Sequence, residues 1–183
     1  MKSKRKKLRL ENYDYGTAGA YFITVCTADR KPILCTIPPI GANVGPITAP
    51  YRVGADDHIG PTTKPYHLGT DVGPTMRLTD LGVVVEKYTR MIPGIDCYVI
   101  MPNHIHMIIM IPEEGPTSAP TGGIIQNRIR TWKTLIAKET GKSVWQRSYY
   151  DHIIRNDQDY LEKAQYILNN PAKWCEDKYY PGF

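Results

Sequence analysis

Hydrophobic positions along the chain fall into two periods, and the changes between them mark the elements. Tyr21, Ile23 and Val25 alternate with Phe22, Thr24 and Cys26, which predicts a first strand. Thr79 and Asp80 precede a three-to-four-residue apolar repeat from Leu81 to about Met91, a capped helix that Pro93-Gly94 ends. Ile95 to Met101 and His104 to Ile111 are two apolar runs separated by Pro102-Asn103, so they predict a hairpin. A second helix is expected from about Gly123 to Glu139, stopped at Gly141. Its Arg128, Arg130, Lys133 and Lys138 suggest a basic exposed face. Ser143 to Ile154 reads as a fourth strand. Asp157 is taken as the cap of a last helix running to about Asn169, which Pro171 stops. The order strand–helix–strand–strand–helix–strand predicts an α+β fold of the ferredoxin-like, RRM-like split βαβ type. Its antiparallel sheet carries helices on one face, with the last helix added at the C-terminus.

The hairpin's return strand holds the first chemistry. Side chains alternate along a strand, so His104 and His106 point one way and Ile105 the other. The structural alternative is a pair of satisfied core histidines. Each buried imidazole then needs a partner, and two charged rings side by side would repel. Two neighbouring imidazoles can instead chelate one divalent metal. On the last helix Tyr166 and Asn170 lie four residues apart and share a face, offering a nucleophile and an amide oxygen. Most of the chain's 13 tyrosines need only pack, so Tyr166 gains meaning from this company. Tyr160, six residues earlier and off that face, is the runner-up. His152, on the strand before the helix, reads as structural. Fold alone does not choose between a nuclease and an RNA-recognition module.

The run Val99–Ile109 resembles the His-hydrophobe-His strand of single-tyrosine (HUH) transposases. More narrowly, it resembles that of the REP-associated tyrosine transposases within the insertion-sequence-200-like superfamily. Arg9-Leu10, Tyr13-Asp14-Tyr15 and Tyr21 to Arg30 fit the same pattern. So do Val144 to Arg155, with its tryptophan, and Tyr166 to Pro171. These stretches occur in the family's order and cover most of the chain except roughly Thr36 to Thr75. The resemblance implies a transposase and single-strand endonuclease-ligase that cuts DNA through a 5′-phosphotyrosine on Tyr166. Mg²⁺ or Mn²⁺ would be held by His104, His106 and Asn170. In mobile-element relatives a glutamine often supplies the third ligand; Asn170 takes that position here. The implied partner is single-stranded DNA, with hairpin-forming repeats as target, bound by a monomer or homodimer. Two other classes stay open. One is a non-catalytic nucleic-acid-binding module of the same fold. The other is a metal-dependent phosphodiesterase using activated water, which should bring carboxylate ligands.

Composition adds three constraints. The length of 183 residues predicts one domain, residues 1–183, with a basic N-terminal arm at 1–10 and a flexible, low-complexity insertion at about 36–75. Repeated Gly-Pro steps mark the insertion, Glu114 to Thr117 echoes it, and its His58 and His67 are not expected to be ligands. Lys2, Lys4, Arg5, Lys6, Lys7 and Arg9 together exceed the net charge of the whole chain, +5. The basic excess therefore sits in the arm, which would lie along DNA phosphates or merely aid solubility. With Arg128, Arg130, Lys133, Trp145, Arg147 and Tyr149, the arm makes up the expected DNA surface. Trp145, Tyr149 and Tyr150 would stack on unpaired bases or else pack in the core. No run approaches the ~20 apolar residues of a membrane span, and Cys26, Cys35, Cys97 and Cys175 form no Cys-x-x-Cys pair. A cytoplasmic location without membrane partners is expected.

Overall fold

The computed structural model describes residues 18–37, 51–52, 76–113 and 123–180. The basic arm, most of the 36–75 insertion and the 114–117 echo lie outside the described residues.

Four strands form the body of one sheet: β1 (Gly19–Cys26), β5 (Ile95–Met101), β6 (His104–Ile111) and β7 (Tyr150–Ile154). The short β3 (Tyr51–Arg52) extends the sheet's edge, and the order is β3-β5-β6-β1-β7 with every pairing antiparallel. Helix α1 (Asp80–Arg90) connects β1 to β5 and α2 (Ile124–Thr140) connects β6 to β7, which gives the ferredoxin-like split βαβ arrangement. Two-residue strands β2 (Cys35–Thr36) and β4 (Arg77–Leu78) pair separately.

Strand parity builds two apolar layers. Tyr21, Ile23, Val25, Ile105, Met107 and Ile109 meet Val85 of α1 and Ile125, Ile129, Trp132 and Ile136 of α2. Residues of the other parity, among them Phe22, Val99, Met101 and Ile108, meet Ile167 and Trp174 from the chain's end. Helix α3 (Asp157–Asn169) and the 3₁₀ turn Pro171–Glu176 therefore cover the face opposite α1 and α2. Strand β6 is apolar on both sides because both are covered.

Local signals explain most boundaries. Thr79 caps α1, its hydroxyl accepting from the Gly82 amide at 3.1 Å and donating to the Ile33 carbonyl at 2.8 Å. Gly82 is required by packing, since a Cβ there would lie 2.0 Å from the Leu34 carbonyl oxygen. Gly141 ends α2 with φ 71°, the left-handed C-terminal signature. Two expectations are corrected. The fourth strand begins only at Tyr150, because Val144 and Trp145 are buried in the helix-side core, where Trp145 makes an isolated bridge to Thr27. The cap of α3 is Asn156, whose side-chain oxygen accepts from the Asp159 amide at 2.9 Å, and Asp157 is already helical.

Candidate functional site

The two histidines open onto the α3 face. Antiparallel pairing sets His104 opposite Cys26 and His106 opposite Thr24, and each histidine is only 5% exposed. Their rings are 4.5 Å apart, centre to centre, and tilted by 73°. His104 Nδ1 donates to the side-chain oxygen of Asn103, a fully buried residue in the hairpin turn. His106 Nδ1 lies 2.8 Å from the Thr24 hydroxyl. An Nδ1 that donates leaves Nε2 as the lone-pair position of its ring, the arrangement that orients a metal-binding imidazole. His106 Nε2 is buried and has no hydrogen-bond partner. A buried polar atom left unmatched is costly unless something absent from the chain meets it.

Electrostatics keep these rings neutral. Burial, then the nearby Arg30 charge, pushes His104 down to about 4, while Asp177 and a hydrogen bond with Asn170 pull the other way. His106 is held well below its ordinary value by burial, then by His104 and Arg30. A neutral imidazole is the form that binds metal.

Helix α3 brings the rest. Buried Ile167 fixes it to the sheet, and Asn170 at its end reaches His104. Tyr166, 48% exposed, stands edge-on to His106 with ring centres 5.1 Å apart and to Phe22 at 5.9 Å. Phe22 in turn stacks on His106 at 5.3 Å. His104, His106, Tyr166 and Asn170 thus converge from β6 and α3. Among the described residues no cluster of three or more His, Cys, Asp or Glu is found, so a metal here would draw its third protein ligand from the Asn170 amide oxygen. Two imidazole nitrogens and one amide oxygen make a mixed nitrogen/oxygen donor set that could hold a divalent metal, with the remaining positions left to water or substrate oxygens.

The other candidates are placed elsewhere. The Tyr160 hydroxyl donates to Asp96 of β5 at 2.5 Å. His152 bridges to Asp159 at 2.8 Å and ties β7 to α3. Arg128, Arg130 and Lys133 sit on α2, across the sheet from the histidines. The expected basic face is only partly exposed: Arg128 donates to the Met110 carbonyl at 3.2 Å, and Lys133 donates to those of Gln146 at 2.7 Å and Ser148 at 3.2 Å. Burial lowers Lys133 to about 8. Trp145 is corrected from base platform to core residue, buried with its ring centre 4.6 Å from that of Trp132. Tyr149 is half-buried against the same cluster, whereas Arg147 and Tyr150 are exposed. Lys4, Arg5, Lys6, Lys7 and Arg9 lie outside the described residues. Sequence reasoning assigned no role to Thr24, Asn103, Arg30 or Asp177. Asn103 beside His104 and Thr24 at the pairing parity were local signals, while Arg30 and Asp177 had none.

No family model matches the chain. An uncharacterized protein of Haemophilus influenzae is 31% identical over 201 residues, spanning 96% of this chain and 93% of its own length. A REP-associated tyrosine transposase of Escherichia coli is 32% identical over 80 residues, 43% of this chain. A putative REP-associated tyrosine transposase of Haemophilus influenzae is 28% identical over 82 residues, 40% of this chain. Over part of its length the chain is thus similar to REP-associated tyrosine transposases. The matches span 44% and 47% of those two transposases' own lengths. A solved REP-associated tyrosine transposase bound to a REP hairpin aligns at a TM-score of 0.47 and 22% identity, covering 94% of this chain and 74% of that one. Among the described residues, no helix is long and apolar enough to cross a membrane.

Proposed function

We propose that this protein cleaves single-stranded DNA and rejoins it to another strand end through a phosphotyrosine on Tyr166. The carrying observation is the placement of the Tyr166 ring 5.1 Å from His106, on the helix whose last residues bring Asn170 to His104. The partial similarity to REP-associated tyrosine transposases supports DNA as the substrate, and hairpin-forming repeats are the target we assign.

His104 Nε2, His106 Nε2 and the Asn170 amide oxygen are the atoms that would hold Mg²⁺ or Mn²⁺. When bound, the ion supplies Lewis-acid stabilisation of charge on the scissile phosphate and the departing oxygen. The protein's part is positioning. The Asn103 and Thr24 hydrogen bonds fix the rings, and the Phe22 stack keeps water from the buried side of His106. Half-exposed Tyr166 presents its hydroxyl to a strand arriving from solvent. As its proton leaves to solvent base, the Tyr166 oxygen bonds to phosphorus and the P–O3′ bond breaks. The 3′ oxygen takes up a proton to become a free hydroxyl. Attack by a second 3′-OH reverses the exchange and restores the phenol, so no ATP is consumed.

The test is an SDS-stable adduct on a pool of single-stranded oligonucleotides containing hairpins, with Mg²⁺ or Mn²⁺ present. Wild type and Tyr160→Phe should form it, and Tyr166→Phe should not while remaining folded. An adduct with the Tyr166→Phe variant, or phosphate mapped to Tyr149, Tyr150 or Tyr160, overturns the assignment. Cleavage without any adduct would favour activated water, and binding without cleavage a non-catalytic module.

A further inference from the structure

Tyr88 and Tyr179 each lie beside cations, and the two groups differ in what completes them. Lys87 Nζ stands 4.9 Å from the centre of the Tyr88 ring, and Glu139 Oε2 accepts from both the ammonium and the phenol at 2.6 Å. That group is neutralised within the fold. Around Tyr179 there are two cations: Lys178 Nζ lies 4.9 Å from the ring centre and the Arg30 guanidinium 5.3 Å. Among the described residues no carboxylate forms an ion pair with either. Asp177 beside them accepts from the Tyr179 amide at 2.8 Å instead. Two like charges gathered at one ring repel, and an anion arriving between them would relieve this. The Tyr179 ring is 39% exposed, so it is open to one.

The group is anchored from both of the arms that build the histidine site. On one side Arg30 ends the turn Ala28–Arg30 after β1, with Asp29 and Arg30 at φ of 55° and 56°. The Thr27 amide donates to the Asn103 carbonyl at 3.0 Å and the Ala28 amide to the Val144 carbonyl at 2.8 Å. Asn103 is the residue whose side chain bonds the His104 ring. On the other side the 3₁₀ turn starts at Pro171, next to Asn170, and buries Trp174 in the layer of Ile167 and Met101. The Asp177 amide donates to the Trp174 carbonyl at 3.0 Å and the Tyr180 amide to the Asp177 carbonyl at 2.8 Å. The Tyr180 ring meets Trp174 edge-on at 6.1 Å. Tyr179 is thus tethered to the end of α3, while Arg30 reaches it from the end of β1.

An exposed aromatic ring flanked by unpaired cations suits an unpaired nucleotide. The ring offers its face to a base, and the cations meet the phosphates on either side. We propose that Tyr179, with Arg30 and Lys178, docks the unpaired DNA beside the cleaved bond. One base stacks on the Tyr179 ring as exposed Lys178 swings from the ring to a phosphate. In a duplex each base is already stacked on its neighbours, so the platform selects single strands. This rests on the single-stranded DNA reading above and supplies a stacking surface in place of Trp145, which lies in the core.

Fluorescence anisotropy of labelled strands with the full chain, in EDTA so that nothing is cleaved, tests this directly. The probes are an oligothymidylate and an abasic strand of the same length, which share phosphates and differ in bases. Wild type should prefer the oligothymidylate. Tyr179→Ala should weaken that binding about tenfold or more and leave the abasic strand nearly unchanged, while Tyr179→Phe keeps the wild-type affinity. Lys178→Gln should weaken both strands alike and reduce the slope of log affinity against log salt by about 0.7, the share of one phosphate contact on a single strand. No wild-type preference for bases, unchanged oligothymidylate affinity in Tyr179→Ala, or an equal loss on both strands in that variant each overturns the inference. So does a Tyr179→Phe loss as large as that of Tyr179→Ala, or an unchanged salt slope in Lys178→Gln. The covalent adduct on the hairpin pool is scored separately. A wild-type adduct with unchanged oligothymidylate affinity in Tyr179→Ala removes only this inference. A base-selective loss in Tyr179→Ala without any wild-type adduct removes only the strand-transfer reading.

Discussion

Burying a neutral His104 ties the stability of the fold to pH in a direction and amount that can be worked out. The ring's ordinary value of 6.5 falls to about 4 in the folded protein, chiefly through burial. Below pH 6.5 the unfolded chain takes up a proton on this ring that the folded chain refuses. Unfolding is then favoured, and stability falls as pH drops from 6.5 toward 4 before levelling off. At 1.36 kcal/mol per pH unit the contribution is on the order of 3 kcal/mol, most of it lost by pH 4. Other groups titrate in the same range, so the measurement is a difference. Urea unfolding of wild type and His104→Asn is compared at pH 7.5 and pH 4 with EDTA present, which removes any metal contribution. The wild type's advantage over the variant should shrink by about 3 kcal/mol on acidification. A difference between the two proteins that stays constant within ~1 kcal/mol, or that grows as pH falls, would refute a buried neutral imidazole.

Two further outcomes follow from the packing. Thr24→Val removes the hydroxyl at His106 Nδ1 with little change of shape and should lower Mn²⁺ affinity by about 10–100-fold, read by calorimetry; unchanged affinity would show that this contact does not orient the ring. Gly82→Ala places a Cβ 2.0 Å from the Leu34 carbonyl oxygen and should cost about 1–3 kcal/mol, seen as a lower Tm in spite of alanine's better helix propensity.

What the sequence revealed and what it hid divide along physical lines. The hairpin and the first two helices are local: period, caps and Pro/Gly punctuation act within a few residues, and their bounds agree with the structure to within a residue or so. His104 and His106 share a face because a strand's period is two, and Tyr166 meets Asn170's neighbourhood because a helix turn is four residues. The fourth strand was overextended because Val144 and Trp145 look like strand residues. Long-range burial against Trp132, together with the Lys133 bonds to the Gln146 and Ser148 carbonyls, decides otherwise. Asn156 and Asp157 are both capping types, and only the structure shows whose oxygen meets the amide. The turn after β1 could not be found by pattern, since Thr27 at its start is bonded to Asn103, more than 70 positions away.

The small β2–β4 ladder has an engineering consequence. Cys35 pairs with Leu78 and Thr36 with Arg77, so residues 36 and 77 are held side by side. Both anchor points are secured next to the Thr79 cap, whose amide and hydroxyl meet the Leu34 carbonyl, each at 3.0 Å. The ends of the segment between them are therefore already joined. Doubling such a loop adds only about 0.6 kcal/mol of closure entropy. Natural variation in length is thermodynamically inexpensive at this junction, and a folded reporter with neighbouring termini could be spliced into it while the histidine strand and its helix keep their places.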